Sequence, residues 1–370
     1  MTRQTMVPFS RRTFIKALTM AGGGAALGLP AWAAARTALH GAGGGAAGSD
    51  PHSRDWSWLV GNWDVRHSRL KERLVGDNRW EAFPGKSALW LVMGGLGTVD
   101  DNILDLPGGS YRGLTLRAFD PATGKWAIWW LDGRKPTKLD PPVLGTFDGD
   151  VGTFIGRDTY KGRPITMRFR WRDIHGARPW WEQAFSTDEG STWEVNWRNY
   201  FTRTSAEPSP LPTLADKPRD FDFLVGSWHV QHRRLRQRLV GSDEWDSFDG
   251  TLVNWPVLGG KGNVGDNVMN LPSGTIRGVG FRSIDADSRQ WNGWWIDSRS
   301  PSTIGPPEVG GFADGIGTFH GDDILDGRPV RSRAVWSRIT EKSVRWEQSA
   351  SADGGATWES NWVSDLVRKD

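Results

Sequence analysis

The chain has 370 residues, with 46 Lys and Arg against 43 Asp and Glu for a formal charge of +3, and it has no cysteine. That absence excludes disulfides, thiol nucleophiles and thiolate metal sites. The pI of about 9.2 does not point to nucleic acid. Arg3, Arg11, Arg12 and Lys16 stand in a leader without acids, and removing them leaves 3 − 4 = −1.

In chain order, Ser10-Arg11-Arg12-Thr13-Phe14-Ile15-Lys16 is a twin-arginine pattern, followed by a Gly/Ala-rich apolar run to about Pro30 and then Ala31-Trp32-Ala33. That order predicts a twin-arginine signal peptide over residues 1–35 and a protein exported folded to the periplasm or secreted. The apolar run is too short and too rich in Gly to span a bilayer, so no membrane contact is expected after cleavage. Residues 36–54 read as a flexible Gly/Ala-rich segment. The remainder is long enough for two ordinary domains.

Leu59 to Leu70, LVGNWDVRHSRL, returns at Leu224 to Leu235 as LVGSWHVQHRRL, a shift of 224 − 59 = 165. The same shift carries Trp80 to Trp245, Trp126 to Trp291, Trp129-Trp130 to Trp294-Trp295, Asp132 to Asp297, Arg134 to Arg299 and Trp193 to Trp358. Solenoid and propeller units are much shorter, so this is a duplicated domain, over 55–203 and 220–370. Residues 204–219, rich in Pro, Ser and charge, read as a linker. Each copy alternates short runs of Trp, Val, Thr and Phe with Gly, Asp, Asn and Pro clusters, which predicts an all-β fold. Only Ser68 to Trp80 offers a helical stripe.

Strand alternation puts Trp63, Val65, His67 and Arg69 on one face, and Trp228, Val230, His232 and Arg234 on the matching face of the copy. A near-neutral histidine beside an arginine suits acid/base chemistry next to an anion clamp, so His67, Arg69, His232 and Arg234 are the catalytic candidates. In the next marked strand Trp126, Ile128, Trp130 and Asp132 share a face, while Trp129 and Leu131 occupy the other. Both faces are bulky, so something should cover the outside. Asp132 and Arg134 are expected to pair at a barrel mouth. Among 24 Trp, Trp126, Trp130, Trp291 and Trp295 are candidates for stacking on a planar ligand.

Ser186 to Trp193, repeated at Ser351 to Trp358, follows the pattern S-x-D-x-G-x-T-W of the sialidase Asp-box. Two boxes cannot build a propeller, and turn chemistry accounts for every residue, so a hairpin is expected. Glu182 and Glu194 flank it and read as structural neighbours across two strands. No His-x-His or clustered-carboxylate loop suggests a metal, and Gly94-Gly95-Leu96-Gly97 lacks the helix that a phosphate loop needs.

The Gly-x-Trp opening, with Arg203 and Arg368 in the closing strands, resembles lipocalins and the wider calycin group, including fatty-acid-binding proteins and nitrobindins. The full repeat resembles an uncharacterised bacterial family of lipocalin-like domains opening F-L-x-G-x-W. The resemblance implies two tandem antiparallel β-barrels, each floor closed by Trp63 or Trp228 under Arg203 or Arg368. It implies a cavity for a small apolar or aromatic molecule, with Trp63, Trp126, Trp130, Asp132 and Arg134, and Trp228, Trp291, Trp295, Asp297 and Arg299, as ligand-binding candidates. Tandem chains of this kind also include lyases, hydratases and isomerases. Haem, on His67 or His232, is a third option; otherwise no cofactor, metal or nucleic-acid partner is expected.

Overall fold

The structure is a computed structural model and describes residues 50–369. The signal at 1–35 lies outside the described residues. The first barrel contains β1 (Gly61–Leu70), β2 (Trp80–Val92), β3 (Gly97–Leu106), β4 (Gly109–Asp120), β5 (Lys125–Asp132), β6 (Val143–Asp148), β7 (Val151–Tyr160), β8 (Arg163–Arg172), β9 (Trp180–Ser186) and β10 (Glu194–Ser205). The second contains β11 (Gly226–Leu235), β12 (Trp245–Val257), β13 (Gly262–Leu271), β14 (Gly274–Asp285), β15 (Gln290–Asp297), β16 (Glu308–Ala313), β17 (Ile316–Leu325), β18 (Arg328–Ser337), β19 (Ser343–Ser351) and β20 (Glu359–Arg368). Each set runs up and down, and β1 and β11 pair with both the second and the last strand of their set. Both sheets are therefore closed antiparallel barrels without free edges.

The stretch Ser68 to Trp80 is not helical. Strand β1 continues to Leu70, and the chain then turns through Leu74, which has φ 61°. The Leu74 N–H donates to both Glu194 carboxylate oxygens at 2.9 Å, and Asp77 accepts from the Glu72 N–H. These local acceptors outcompete a helix. Glu194 thus caps a loop and lies opposite Phe185, whereas Glu182 lies opposite Arg198. The hairpin register sets them three residues apart, so the two acids are not the cross-strand neighbours expected. The Asp-box is a hairpin turn. Asp188 accepts from the Thr192 N–H at 2.8 Å and its hydroxyl at 2.6 Å, which holds its carboxyl down at about 2.

The β1 face is inward as the alternation required. Trp63 Nε1 donates to Leu59 O at 2.8 Å, and the Arg203 guanidinium lies 4.0 Å over the ring while donating to Trp58 O and Val60 O. The second floor repeats this, with Trp228 on Leu224 O at 2.8 Å and Arg368 at 4.2 Å over its ring. Trp126 and Trp291 complete the floors, each giving its indole N–H to a carboxylate, Asp55 or Asp220, at 2.8 Å.

What covers the outer side of β5 is the other barrel. Trp129, Leu131, Leu114 and Leu116 form one buried cluster with Trp294, Ile296, Val279 and Phe281, and Trp90 meets Trp255 at 5.4 Å between centroids. Two reciprocal bonds cross this seam: Met93 N–H to Asp266 at 3.0 Å, and Leu258 N–H to Asp101 at 2.9 Å. Both donors and both acceptors are 165 residues apart, so the seam is a pseudo-twofold contact of like surfaces. The linker is fastened to both barrels, through Ser209 N–H to Asn62 at 2.7 Å and Leu214 N–H to Gly259 O at 2.7 Å.

Burial pushes the seam carboxyls up, Asp101 to about 7 and Asp266 to about 6, against the opposing pull of the backbone N–H and of Arg112 or Arg277. An acid whose folded pKa exceeds its unfolded value binds its proton more tightly when folded, so its contribution to stability is lost as pH rises from about 4 through 7. His67 and His232, lowered by burial to about 4, act in the opposite sense, but only below about pH 6.5. Thermal melting is therefore expected to shift upward between about pH 8 and 6.5. The double variant Asp101→Asn, Asp266→Asn should lose part of that shift, Glu308, also raised to about 7, supplying much of the rest; an unchanged slope in the variant contradicts the seam assignment.

Candidate functional site

A cavity of about 160 Å³ occupies the second barrel, room for on the order of ten waters or a ligand of roughly ten to fifteen heavy atoms. Comparing the copies position by position explains why it is there. Asp100, Thr115, Ile128 and Phe169 in the first barrel correspond to Gly265, Gly280, Gly293 and Ala334, and all four of these smaller residues line the cavity. Gly265 faces Gly280 across β13 and β14, and Gly293 follows on β15 opposite Arg282. A Cβ on Gly280 or Gly293 would meet nothing closer than 3.5 Å, and neither residue has positive φ. Neither backbone nor packing requires glycine there, and a strand glycine costs about 0.5–1 kcal/mol relative to alanine. What the glycines provide is space.

The floor of the cavity is polar. In the first barrel the Arg117 guanidinium donates to Asp100 at 2.6 Å and Thr98 at 3.1 Å, and lies 4.4 Å over Trp56. Its counterpart Arg282 has no carboxylate at Gly265. It donates instead to Asn263 at 2.9 Å and lies between Phe221 and Trp336, at 5.0 and 5.3 Å. The counter-charge has moved to Glu308, where the first copy has Val143. Glu308 lines the cavity and accepts from Ser332 Oγ at 3.0 Å. Enclosure away from bulk water pushes its carboxyl up to about 7, with the Ser332 bond and Arg282 pulling the other way.

The mouth carries Arg234, Arg238 and Arg299, all lining the cavity. Among their counterparts in the first barrel, Arg69 and Arg73 are partly covered, whereas Arg134 is exposed. Arg69 pairs with Glu81, through Nε at 3.1 Å; Arg73 lies over Tyr160, Phe185 and Trp197; and Arg134 lies 3.7 Å over Tyr111. Tyr111, Tyr160 and Phe185 become Ile276, Leu325 and Ala350 in the second copy. The mouth arginines remain, and the aromatic plug is gone. Asp297 holds Arg299 at 2.9 Å, as Asp132 holds Arg134 at 2.6 Å, the pair expected from their spacing.

The structure divides the expected site residues into groups. Trp63, Trp228, Trp126 and Trp291 are floor residues with their N–H groups bonded to protein and do not line the cavity, whereas His232, Arg234, Trp295 and Arg299 do. Trp130 packs with Phe83, Leu104 and Tyr111 in the first barrel. His67 Nδ1 lies 2.7 Å from Asn199 Oδ1, and its ring stacks on Phe83 at 4.8 Å. His232 Nδ1 lies 2.8 Å from Ser364 Oγ, and its ring stacks on Phe248. In each case Nε2 faces the wall at Gly85 or Gly250, where a Cβ would collide with it. Neither nitrogen is presented as an axial ligand, and the cavity is small for a macrocycle, so these residues do not fit haem. Among the described residues no group of three or more His, Asp or Glu is placed to hold a metal.

Arg238, Arg282, Glu308, Ser332 and the three glycines were not singled out from the sequence. The signal was present. Aligning the copies at 165 and reading only inward positions exposes each bulky-to-glycine exchange.

The fold and site define a tandem β-barrel protein whose second barrel holds the cavity. No protein-family model matches the chain, and no curated protein does. Among solved structures it is similar to an S-type phycobiliprotein lyase, CPES, from Guillardia theta, at 13% identity over 40% of this chain and 90% of that one, TM-score 0.29. It is also similar to a protein of unknown function of the DUF3598 family from Nostoc punctiforme, at 11% identity over 86% and 100%, TM-score 0.23. A putative AttH from Nitrosomonas europaea matches at 9% over 89% and 100%, TM-score 0.15. Likenesses this distant place no ligand in the cavity.

Proposed function

We propose that the chain is a lipocalin-like small-molecule-binding protein, exported to the periplasm or beyond, whose second barrel holds an apolar or aromatic molecule while the first serves as a scaffold. The observation that carries this reading is the cavity framed by Gly265, Gly280, Gly293 and Ala334, at positions where the first barrel has side chains. Pockets of this kind are apolar, with a few placed polar groups. The test is titration with the neutral apolar dye N-phenyl-1-naphthylamine, followed by its fluorescence. The double variant Gly280→Thr, Gly293→Ile restores the first barrel's residues and is expected to weaken binding about a hundredfold, roughly 2.8 kcal/mol, with an unchanged fold. Equal binding by the filled variant overturns the assignment.

A second reading, a lyase, hydratase or isomerase on the same site, is favoured by one observation. Glu308 is an enclosed carboxyl raised to about 7 in the same cavity as Arg282, the poise that a general acid or base needs near neutral pH. Under that reading Glu308 rather than His232 moves the proton, because burial holds the histidine near 4. Chromatography of a ligand recovered after incubation separates turnover from binding.

A further inference from the structure

We propose that this cavity takes a phenolic carboxylic acid, with its carboxylate at the arginines of the mouth, its ring against the glycine wall and its hydroxyl at Glu308. The proposal rests on the binding reading above and adds the class of ligand.

The acid end follows from Arg234. Its counterpart Arg69 has Glu81 as a partner, but the corresponding Asp246 turns to Arg236 at 2.8 Å. Arg234 forms no ion pair among the described residues and lies at 5.2 Å over Trp362. Burial first, and then the like charges of Arg299 and Arg238 at the same mouth, lower its pKa to about 10, against the weaker pull of Asp246 and Asp297. A ligand carboxylate supplies the charge that Glu81 supplies in the other barrel.

The flat middle follows from Gly280 and Gly293. Gly280 and Gly293, on adjacent strands, leave open wall, Leu252 lies close over Gly265, and Phe319 and Trp336 also line the cavity. A ring fits such a slot.

The hydroxyl follows from Glu308. A ligand amine would bring a cation beside Arg282, which acts electrostatically on Glu308. A neutral hydroxyl can donate to the carboxyl group without that repulsion. The span agrees. Gly293 pairs with Glu308, and Asp297, four residues along β15, holds Arg299. That is about 13 Å of strand, less the inward reach of both side chains, and it suits one ring with a short acid chain.

The test is isothermal titration calorimetry of the full chain with 4-hydroxycinnamate, cinnamate and methyl 4-hydroxycinnamate. The hydroxy acid is expected to bind at least about tenfold more tightly than either analogue, the difference that one good polar contact makes. Arg234→Met should abolish the preference for acid over ester. Glu308→Val, the residue of the first barrel, should abolish the preference for hydroxyl over hydrogen. Equal affinity for cinnamate and 4-hydroxycinnamate, or a preference that survives Glu308→Val, overturns the proposal. If none of the three binds while the neutral dye binds and is lost from the filled variant, the ligand class fails and the binding reading stands. If filling the cavity leaves the dye unaffected, both fail.

Discussion

Replacing Asp100 by alanine is expected to lower stability by about 3–5 kcal/mol, because it leaves the Arg117 guanidinium enclosed without its counter-charge. Arg117 is 3% exposed and donates to Asp100 at 2.6 Å. The remaining contacts, Thr98 and the Trp56 ring, cannot neutralise it. Urea denaturation reads the loss directly. The double variant Asp100→Ala, Arg117→Met should recover most of it, since removing both charges from a low-dielectric site is often neutral or stabilising. An Asp100→Ala protein as stable as the parent would mean that Arg117 reaches water or another acid. The second barrel provides an internal comparison. Gly265→Asp should draw Arg282 into the arrangement of the first barrel and close the cavity from below.

Removing Trp129 or Trp294 from the seam is the second large effect, at about 3–5 kcal/mol for each change to alanine. Both are nearly buried, at 4% and 6% exposure, and Trp294 stacks on Phe281 at 5.3 Å. They belong to one cluster, so the double variant should cost less or more than the sum. Loss of the seam should also split a single urea transition into two, one for each barrel. A single transition at the original midpoint would show that the barrels do not support one another.

Much of the fold was legible because it repeats. The shift of 165 marked two equal units, Gly-x-Trp marked the first strand of each, and alternation placed Trp63 and His67 inward. The bulky residues on both sides of β5 required an outer cover, but no local pattern could say that Trp129 and Leu131 meet the other copy. That contact depends on two surfaces 165 residues apart. The site was less legible for a different reason. Trp126 and Trp291 have the chemistry of ligand-stacking residues, yet a carboxylate in the turn before each barrel takes their N–H groups. The residues that make the cavity are glycines, which read in a sequence as turns. Gly280 and Gly293 acquire meaning only once register shows that they point inward where Thr115 and Ile128 stand in the first copy.

The reciprocal seam has a consequence for dilution. Two separate molecules joined by the Met93–Asp266 and Leu258–Asp101 bonds and the apolar cluster between them would part when their concentration fell below the dissociation constant. Here one backbone connects the halves, and each meets the other at an effective concentration on the order of millimolar, whatever the protein's abundance. The hollow barrel therefore keeps its braced wall in the most dilute surroundings, and its melting point should not depend on how much protein is in the tube.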